Sequence, residues 1–149
     1  MLILNADVLA RMHAHLQSGY PHEACGILIG DTTTDADGSV RTIVADAVNA
    51  ANAWDVTNER ESQRNRFLIS PDDYVRADRA ASQRGLDVVG FFHSHPDCPP
   101  RPSETDREYA MPRSSFVIVR VDQGRATATQ SWVLRDDRSG FDEESVQVL

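Results

Sequence analysis

The sequence is poor in cysteine and lacks a long apolar run. Of its 149 residues only two are cysteine, Cys25 and Cys98, which favours a cytoplasmic chain with free thiols over a disulfide-held one. No apolar stretch approaches the about 20 residues that a membrane-spanning helix needs. The N-terminus also lacks the charged and apolar regions of a signal peptide. We therefore expect a cytoplasmic protein with no membrane partner.

Positive charge is scarce as well. The chain has 15 basic and 23 acidic side chains, which gives a net charge of −8. Nucleic acids and anionic membranes attract Lys-rich and Arg-rich surfaces, so we expect no nucleic-acid partner. The 40% hydrophobic and 26% charged residues are ordinary for a globular protein. The length, with no internal repeat, predicts a single domain over residues 1–149.

Local patterns predict the secondary structure. One helix is expected between the Asn5 cap and Gly19, and another between Ser70-Pro71 and about Arg84. A short helix is expected after Asp106, through Ala110. Strands are expected at 27–29, 40–48, 66–69, 88–95, 116–121, 126–134 and, as an edge strand, 145–149, with a polar turn at 31–39. These elements predict an α/β or α+β fold with a mixed central sheet flanked by helices.

The polar segment 49–65 has two interpretations, both open at this point. It is either a mobile surface loop or a flap that contacts substrate. Trp54 is its only large apolar residue.

The stretch 88–106 carries the strongest chemical signal. Its β-branched and aromatic start predicts a buried strand that continues into His-X-His. Because side chains alternate along a strand, His93 and His95 would lie on one face as a pair of candidate metal ligands. Asp106, carried back by a proline-rich loop, is a candidate third ligand. Two histidines and a carboxylate with one open position are typical of a catalytic zinc site.

Two other interpretations of this stretch stay open. Cys98 lies near the histidines and could also reach a metal ion, although we favour three protein ligands. Ser103, followed three residues later by Asp106, also matches a helix N-cap with its capping-box partner.

Some candidate residues have ordinary explanations when each is taken alone. A second His-X-His, His13 and His15, lies in the first predicted helix, where positions two apart do not face each other. We expect that pair to lie at the surface or to be partly packed. Glu23 alone predicts a solvated carboxylate at the end of a strand, and Cys25 is expected to pack as a small apolar residue.

Taken together, the motif residues resemble a known metalloprotease family. Glu23, His93-Ser94-His95-Pro96 and Ser103-Glu104-Thr105-Asp106 resemble the JAMM, or MPN-plus, motif, and segments 21–30 and 90–106 resemble its compact prokaryotic members. The resemblance implies the JAMM/MPN fold, which is similar to that of cytidine deaminases. It also implies Zn²⁺ held by His93, His95 and Asp106, with Glu23 as general base and Ser103 stabilising the tetrahedral intermediate.

The resemblance also implies a substrate class. JAMM enzymes cut peptide or isopeptide bonds after the C-terminal Gly-Gly of ubiquitin or ubiquitin-like proteins, and small bacterial members resemble enzymes that process sulfur-carrier proteins. We therefore expect a ubiquitin-like or sulfur-carrier protein as the partner. The alternatives are a deubiquitinase-like isopeptidase on ubiquitin conjugates and a non-catalytic MPN or RadC-like module. A zinc deaminase is excluded, because Cys98 is not followed by the second cysteine of its Pro-Cys-X-X-Cys motif.

Overall fold

The computed structural model describes residues 1–55 and 62–149. Within these ranges the chain forms three helices: α1 (Ala6–Gly19), α2 (Pro71–Gln83) and α3 (Glu104–Tyr109). The strands of the same ranges are β1 (Leu2–Leu4), β2 (Cys25–Thr34), β3 (Val40–Ala50), β4 (Asp87–Pro96), β5 (Ser115–Asp122), β6 (Arg125–Leu134), β7 (Phe141–Glu144) and β8 (Val146–Val148). None of the helices in this part of the chain combines the length and apolar composition needed to cross a membrane.

The eight strands of the described residues form one mixed sheet in the order β7-β6-β5-β4-β2-β3-β1-β8. The central strand β4 pairs antiparallel with β2 and parallel with β5. Strands β7 and β8 lie at opposite ends of this order, yet only Ser145 separates them along the chain. The sheet must therefore curl until its two edges meet, and the Met1 amino group lies 3.5 Å from Glu144 Oε2 at that seam.

Two apolar clusters cover the two faces of the sheet. One packs α1 against the strands through residues such as Met12, Leu16 and Phe92. The other packs α2 through Ala77 and Ala81, and it includes Phe91. Because neighbouring strand residues point to opposite faces, Phe91 and Phe92 belong to different clusters. The predicted fold, a mixed sheet flanked by helices, is confirmed.

The predicted helix starts are confirmed by their caps. Asn5 Oδ1 accepts a hydrogen bond of 2.8 Å from Val8 N at the start of α1. Ser70 Oγ accepts one of 3.1 Å from Asp73 N at the start of α2, and Pro71 occupies the first turn. Each cap satisfies an N–H group that the helix itself leaves without a partner.

Three predictions of local structure were wrong, and two strands were missed. Residues 66–69 form no strand, because Leu68 bonds to the loop residues Asn52 and Ala53 instead of to a neighbouring strand. Strand β2 extends to Thr34, into the predicted turn, because its pairing with β3 continues that far. Helix α3 begins before Asp106, not after it. The short strands β1 and β7 were not predicted at all.

Candidate metal centre

Strand β4 places both predicted histidines at one end of the sheet. His93 is fully buried and His95 is 6% exposed. Their Nε2 atoms lie 3.1 Å apart. Ser94 points to the other face, where its hydroxyl accepts a hydrogen bond of 2.9 Å from Ala24 N. The predicted alternation along the strand is confirmed.

The first turn of α3 brings Asp106 to the histidines. Its Oδ1 lies 3.4 Å from His93 Nε2, and its Oδ2 lies 3.4 Å from His95 Nε2. The Ser103 backbone N–H donates to Asp106 Oδ2 at 2.8 Å, and Ser103 Oγ accepts from Asp106 N at 3.1 Å. The capping box and the candidate ligand are therefore the same arrangement, since the box aims the carboxylate at both imidazoles.

Glu23 lies just before β2 and also reaches this cluster. Its Oε1 is 3.9 Å from His95 Nε2, and the side chain is only 6% exposed. The expectation of a solvated carboxylate was wrong, because that expectation treated Glu23 apart from the fold. Among the described residues, the contacts within 4.0 Å join Glu23 to His95 and Asp106 to both histidines.

An aromatic wall beside the histidines was missed by the sequence argument. The ring of Phe67 stacks on His93 with a centroid distance of 4.3 Å, and Phe116 lies 5.0 Å from the same imidazole. Both rings also line an apolar cavity of about 300 Å³. Phe67 carried no signal of this contact, because it follows an irregular segment whose path depends on tertiary structure.

The three donor groups fit a tetrahedral zinc ion. Zinc binds imidazole nitrogen and carboxylate oxygen at about 2.0–2.2 Å, so tetrahedral ligand atoms lie about 3.3–3.5 Å apart. The two nitrogen–oxygen distances of 3.4 Å, one to each oxygen of Asp106, match that spacing, and the nitrogen–nitrogen distance of 3.1 Å is slightly shorter. Ligand atoms of Glu23, His93 and His95 also lie within 4.8 Å of one another. These residues could hold a metal ion.

The hydrogen bond of His95 prepares its ring for this role. Nδ1 lies 2.8 Å from the Pro99 carbonyl oxygen, which can only accept. Nδ1 must therefore carry the hydrogen, so in the neutral ring the lone pair is on Nε2 and points into the cluster. His93 Nδ1, by contrast, is buried without a hydrogen-bond partner among the described residues.

Burial and mutual contact shift the pKa values of the cluster. Burial raises the pKa of Glu23 to about 8 against the opposing effect of His95. Burial also opposes ionisation of Asp106, but the two imidazoles and Ser103 hold the pKa of Asp106 well below its usual range. Burial lowers the pKa of His93. For His95, burial is outweighed by Asp106 and its other partners, which raise the pKa to about 10.

These pKa shifts mean that the buried, ionised carboxylate of Asp106 requires a positive partner. A proton on His95 supplies one, and a divalent cation would supply one by displacing that proton.

The remaining candidates lie around this centre. Cys98 is exposed, and its thiol contributes to the raised pKa of His95. Cys25 is fully buried, as expected for a small apolar residue. The helical pair is half-buried and points to separate partners: His13 Nε2 lies 2.9 Å from Thr129 Oγ1, and His15 Nε2 lies 2.9 Å from the Cys25 carbonyl oxygen.

Part of the polar segment 49–65 also borders the centre. Residues 56–61 lie outside the described part of the chain. Before them, the Trp54 ring packs edge-on against Tyr109 of α3, with a centroid distance of 5.9 Å. After them, Gln63 accepts a backbone hydrogen bond from Glu23. Both described flanks of the segment are therefore tied to elements that carry site residues.

A curled mixed sheet that delivers two histidines from its central strand and an aspartate from the next helix defines a JAB/MPN-type domain. The chain belongs to the family of prokaryotic homologs of the JAB domain, Prok-JAB, whose model matches residues 5–135. The predicted resemblance to compact prokaryotic JAMM/MPN proteins is confirmed.

Individual relatives agree with this assignment. The protein is 34% identical over 131 residues to the desampylase of Haloferax volcanii, a match that covers 85% of each chain. A Desulfitobacterium hafniense protein of known solution structure is 27% identical, with a TM-score of 0.79 over 100% of this chain and 93% of that one. A JAB1/MPN domain protein from Archaeoglobus fulgidus shares the fold, with a TM-score of 0.55 at 18% identity over 100% and 99% of the two chains.

Proposed function

We propose that this chain is a zinc-dependent isopeptidase that removes a ubiquitin-like modifier by hydrolysing the bond after the modifier's C-terminal Gly-Gly. The observation that carries the proposal is the convergence of His93, His95 and Asp106, with the buried carboxylate of Glu23 beside them. The desampylase relative supports a reaction that removes a modifier. In this proposal residues 1–149 act as one domain.

Three side chains would hold the zinc ion: His93, His95 and Asp106. When bound there, zinc would supply a Lewis acid that makes water acidic near neutral pH and polarises the scissile carbonyl. The chain's own contribution is a rigid donor set. His95 is oriented by Pro99, and Asp106 is oriented by the capping box of α3.

Glu23 is proposed as the general base. A carboxylate accepts a proton more readily as its pKa rises toward the working pH, and burial raises the pKa of Glu23 to about 8. Glu23 would take a proton from the attacking water and pass it to the nitrogen of the departing amine. Its oxygen lies 3.9 Å from His95 Nε2, farther than the 3.4 Å that separates Asp106 oxygens from both histidines, which suits a proton carrier better than a third ligand.

Ser103 is proposed to stabilise the tetrahedral intermediate. Its hydroxyl oxygen already accepts from Asp106 N, so the oxygen is fixed in position. The hydroxyl hydrogen is not used by that bond and remains able to donate to a developing oxyanion.

The burial of the site supports a substrate that ends in glycine. Glu23, His93, His95 and Asp106 are each at most 6% exposed. A narrow approach to such a recessed cluster favours a chain without Cβ atoms at the scissile carbonyl and at the residue before it, which a Gly-Gly tail provides. Ubiquitin-like modifiers and sulfur-carrier proteins of that ending are the proposed partners.

The test is intact-mass spectrometry on a ubiquitin-like or sulfur-carrier protein that carries a peptide extension after its Gly-Gly, and on the same modifier joined to a lysine side chain. Wild-type protein loaded with zinc should release the modifier with a mass that ends at the second glycine. Glu23→Gln and chelator-treated wild type should not, whereas the surface variant Glu108→Gln should cleave like wild type.

Two outcomes would contradict the proposal. Cleavage that survives complete removal of metal would exclude the metal-dependent reaction. Absence of cleavage by protein that holds one zinc per chain, on both linkages, would exclude the proposed substrate class.

A further inference from the structure

The side chain of Asn52 makes four hydrogen bonds, all to backbone groups. Its Nδ2 donates to the carbonyl oxygens of Glu23 at 3.0 Å and Arg66 at 2.9 Å. Its Oδ1 accepts from the N–H groups of Trp54 at 3.0 Å and Leu68 at 3.1 Å. A side-chain amide offers two hydrogens and two lone pairs, so the capacity of Asn52 is fully used.

The surroundings fix the orientation of this amide. Two of its neighbours are carbonyl groups, which only accept, and two are N–H groups, which only donate. Rotating the amide by half a turn would place acceptor against acceptor and donor against donor, so one orientation satisfies the network. Asn52 thereby joins three stretches of chain that are distant in sequence.

One of these stretches contains Glu23, the residue proposed as general base. The Glu23 carbonyl is held by Asn52, and the Glu23 N–H donates to the Gln63 carbonyl. Gln63 is in turn tied back to Asn52, because its Nε2 donates to the Asn52 carbonyl oxygen at 3.1 Å and to that of Trp54 at 3.2 Å. Both sides of the Glu23 backbone are therefore anchored by one small network.

The same network also holds Phe67, part of the aromatic wall beside the histidines. The bonds of Asn52 to Arg66 and Leu68 bracket Phe67, the ring that stacks on His93. Residues 66–69 do not form a strand, and the bonds of Asn52, together with the one from Ala53 N to the Leu68 carbonyl oxygen, tie this segment to residues 52–53 and so fix that ring.

We infer that Asn52 is a positioning residue that sets the place of Glu23, and of the Phe67 ring, relative to the metal ligands. The inference rests on the proposed function for its kinetic consequence. Asn52 touches neither the ligands nor the reacting atoms, so it acts through the backbone that it holds. Losing its bonds leaves the donor set intact and lets Glu23 drift from the position it needs for proton transfer.

The experiment compares Asn52→Ala with the matched control Asn65→Ala. Asn65 also accepts a backbone hydrogen bond, from Ser62 N at 3.2 Å, but it is exposed and lies off the network. Asn52→Ala should lower kcat by about tenfold, with KM within about twofold of wild type and one zinc still bound per chain. Asn65→Ala should leave kcat and KM unchanged.

A double-mutant cycle separates positioning from general damage. In a Glu23→Gln background, measured at high enzyme concentration, adding Asn52→Ala should change the remaining rate by less than about twofold. An equal loss in both backgrounds would overturn the inference, because Asn52 would then act without Glu23. A wild-type rate in Asn52→Ala would overturn it as well.

A second measurement needs no substrate and decides the inference even if the proposed reaction fails. Hydrogen exchange followed by NMR should show the Glu23 amide exchanging about tenfold faster in Asn52→Ala than in wild type, although that amide is bonded to Gln63 and not to Asn52. An unchanged Glu23 amide would overturn the inference. If the amide exchanges faster but wild type cleaves no modifier, the proposed function fails and the positioning role of Asn52 stands.

Discussion

The chain contains His-X-His twice, and the two pairs end in different surroundings. His93 and His95 lie on strand β4, and their Nε2 atoms are 3.1 Å apart in a buried cluster. His13 and His15 lie on helix α1, half-buried, and contact unrelated partners, Thr129 and the Cys25 carbonyl. The strand turns alternate residues to one face, whereas the helix turns them about 200° apart.

The comparison teaches that two histidines become part of a cluster of possible metal ligands only when the backbone aligns them and other elements bring carboxylates to them. The strand pair receives Asp106 from a capped helix and Glu23 from the neighbouring strand's start. Neither histidine of the helix pair has an ion-pair contact with a carboxylate among the described residues.

Removing a histidine of the strand pair should abolish function. His95→Ala loses one of three donors, so zinc binding should fall below one per chain and the cleavage rate should drop by about 10⁴-fold or more. His15→Ala is the matched control, and it should retain zinc and most activity. Elemental analysis and intact-mass spectrometry measure both. A loss of zinc from His15→Ala as large as that from His95→Ala would break the comparison.

Removing the carboxylate beside the strand pair should separate metal binding from chemistry. Glu23→Gln keeps the size and burial of the side chain but cannot accept a proton. We expect cleavage to fall by about 10²–10⁴-fold while zinc stays at one per chain. If zinc is lost together with activity, Glu23 is a ligand and the proposed division between it and Asp106 is wrong.

Weakening the helix that carries the third donor should have a moderate effect. Arg138 donates to the carbonyl oxygens of Arg107, Glu108 and Ala110 at 2.6, 3.0 and 3.0 Å, and so caps the C-terminal end of α3. Such end groups otherwise lack partners. Arg138→Ala should weaken zinc affinity by about tenfold through Asp106, measured by competition with a chelating dye.

The control for that variant lies in the same turn of the chain. Arg135 pairs with Asp142 on the surface and makes no contact with α3 in the hydrogen bonds of the described residues. Arg135→Ala should leave zinc affinity unchanged. Equal weakening by both variants would assign the effect to general surface charge.

The helix pair should affect only stability, and weakly. Burial lowers the pKa of His13 from its ordinary 6.5, so below that pH the unfolded chain binds a proton that the folded chain resists. The contribution of the neutral His13 ring to the free energy of unfolding is therefore fully present above pH 6.5 and declines as the pH falls below that value. His13→Gln lacks this titrating group, so its free energy of unfolding should fall less on acidification. The difference should be only about a few tenths of a kcal/mol, because the ring is partly exposed and solvent screens the effect. Urea unfolding at about pH 7.5 and pH 5.5 measures it, and an identical decline in the variant would contradict the assignment.

Much of the fold and the placement of His93, His95 and Asp106 could be predicted from sequence, because each depends on a local rule, whereas Glu23 was indicated only by the resemblance to the JAMM motif. The strand period placed His93 and His95 on one face, and the Ser103-X-X-Asp106 spacing gave the capping box. Helix caps at Asn5 and Ser70 follow from side-chain oxygens that bond to nearby N–H groups. Such features need only a few neighbouring residues.

The features that sequence did not predict depend on distant contacts. Glu23 is buried among partners that are distant in sequence, Asn52, Gln63 and His95, and no pattern around Glu23 encodes these contacts. Segment 66–69 has the composition of a strand but is held by Asn52, 14 residues before Arg66. Strand β1 forms because it pairs with β3 and with β8, which lies near the other end of the chain. In each case a partner from elsewhere in the chain decides the structure.

The central claim is that the strand pair, Asp106 and one metal ion form the site. Crystals of the zinc-loaded protein, measured on both sides of the zinc absorption edge, test it directly. We predict one anomalous peak within bonding distance of His93 Nε2, His95 Nε2 and an oxygen of Asp106, with Glu23 nearby but not bound. A peak at His13 and His15, or a metal bound by Glu23 in place of Asp106, would contradict the account.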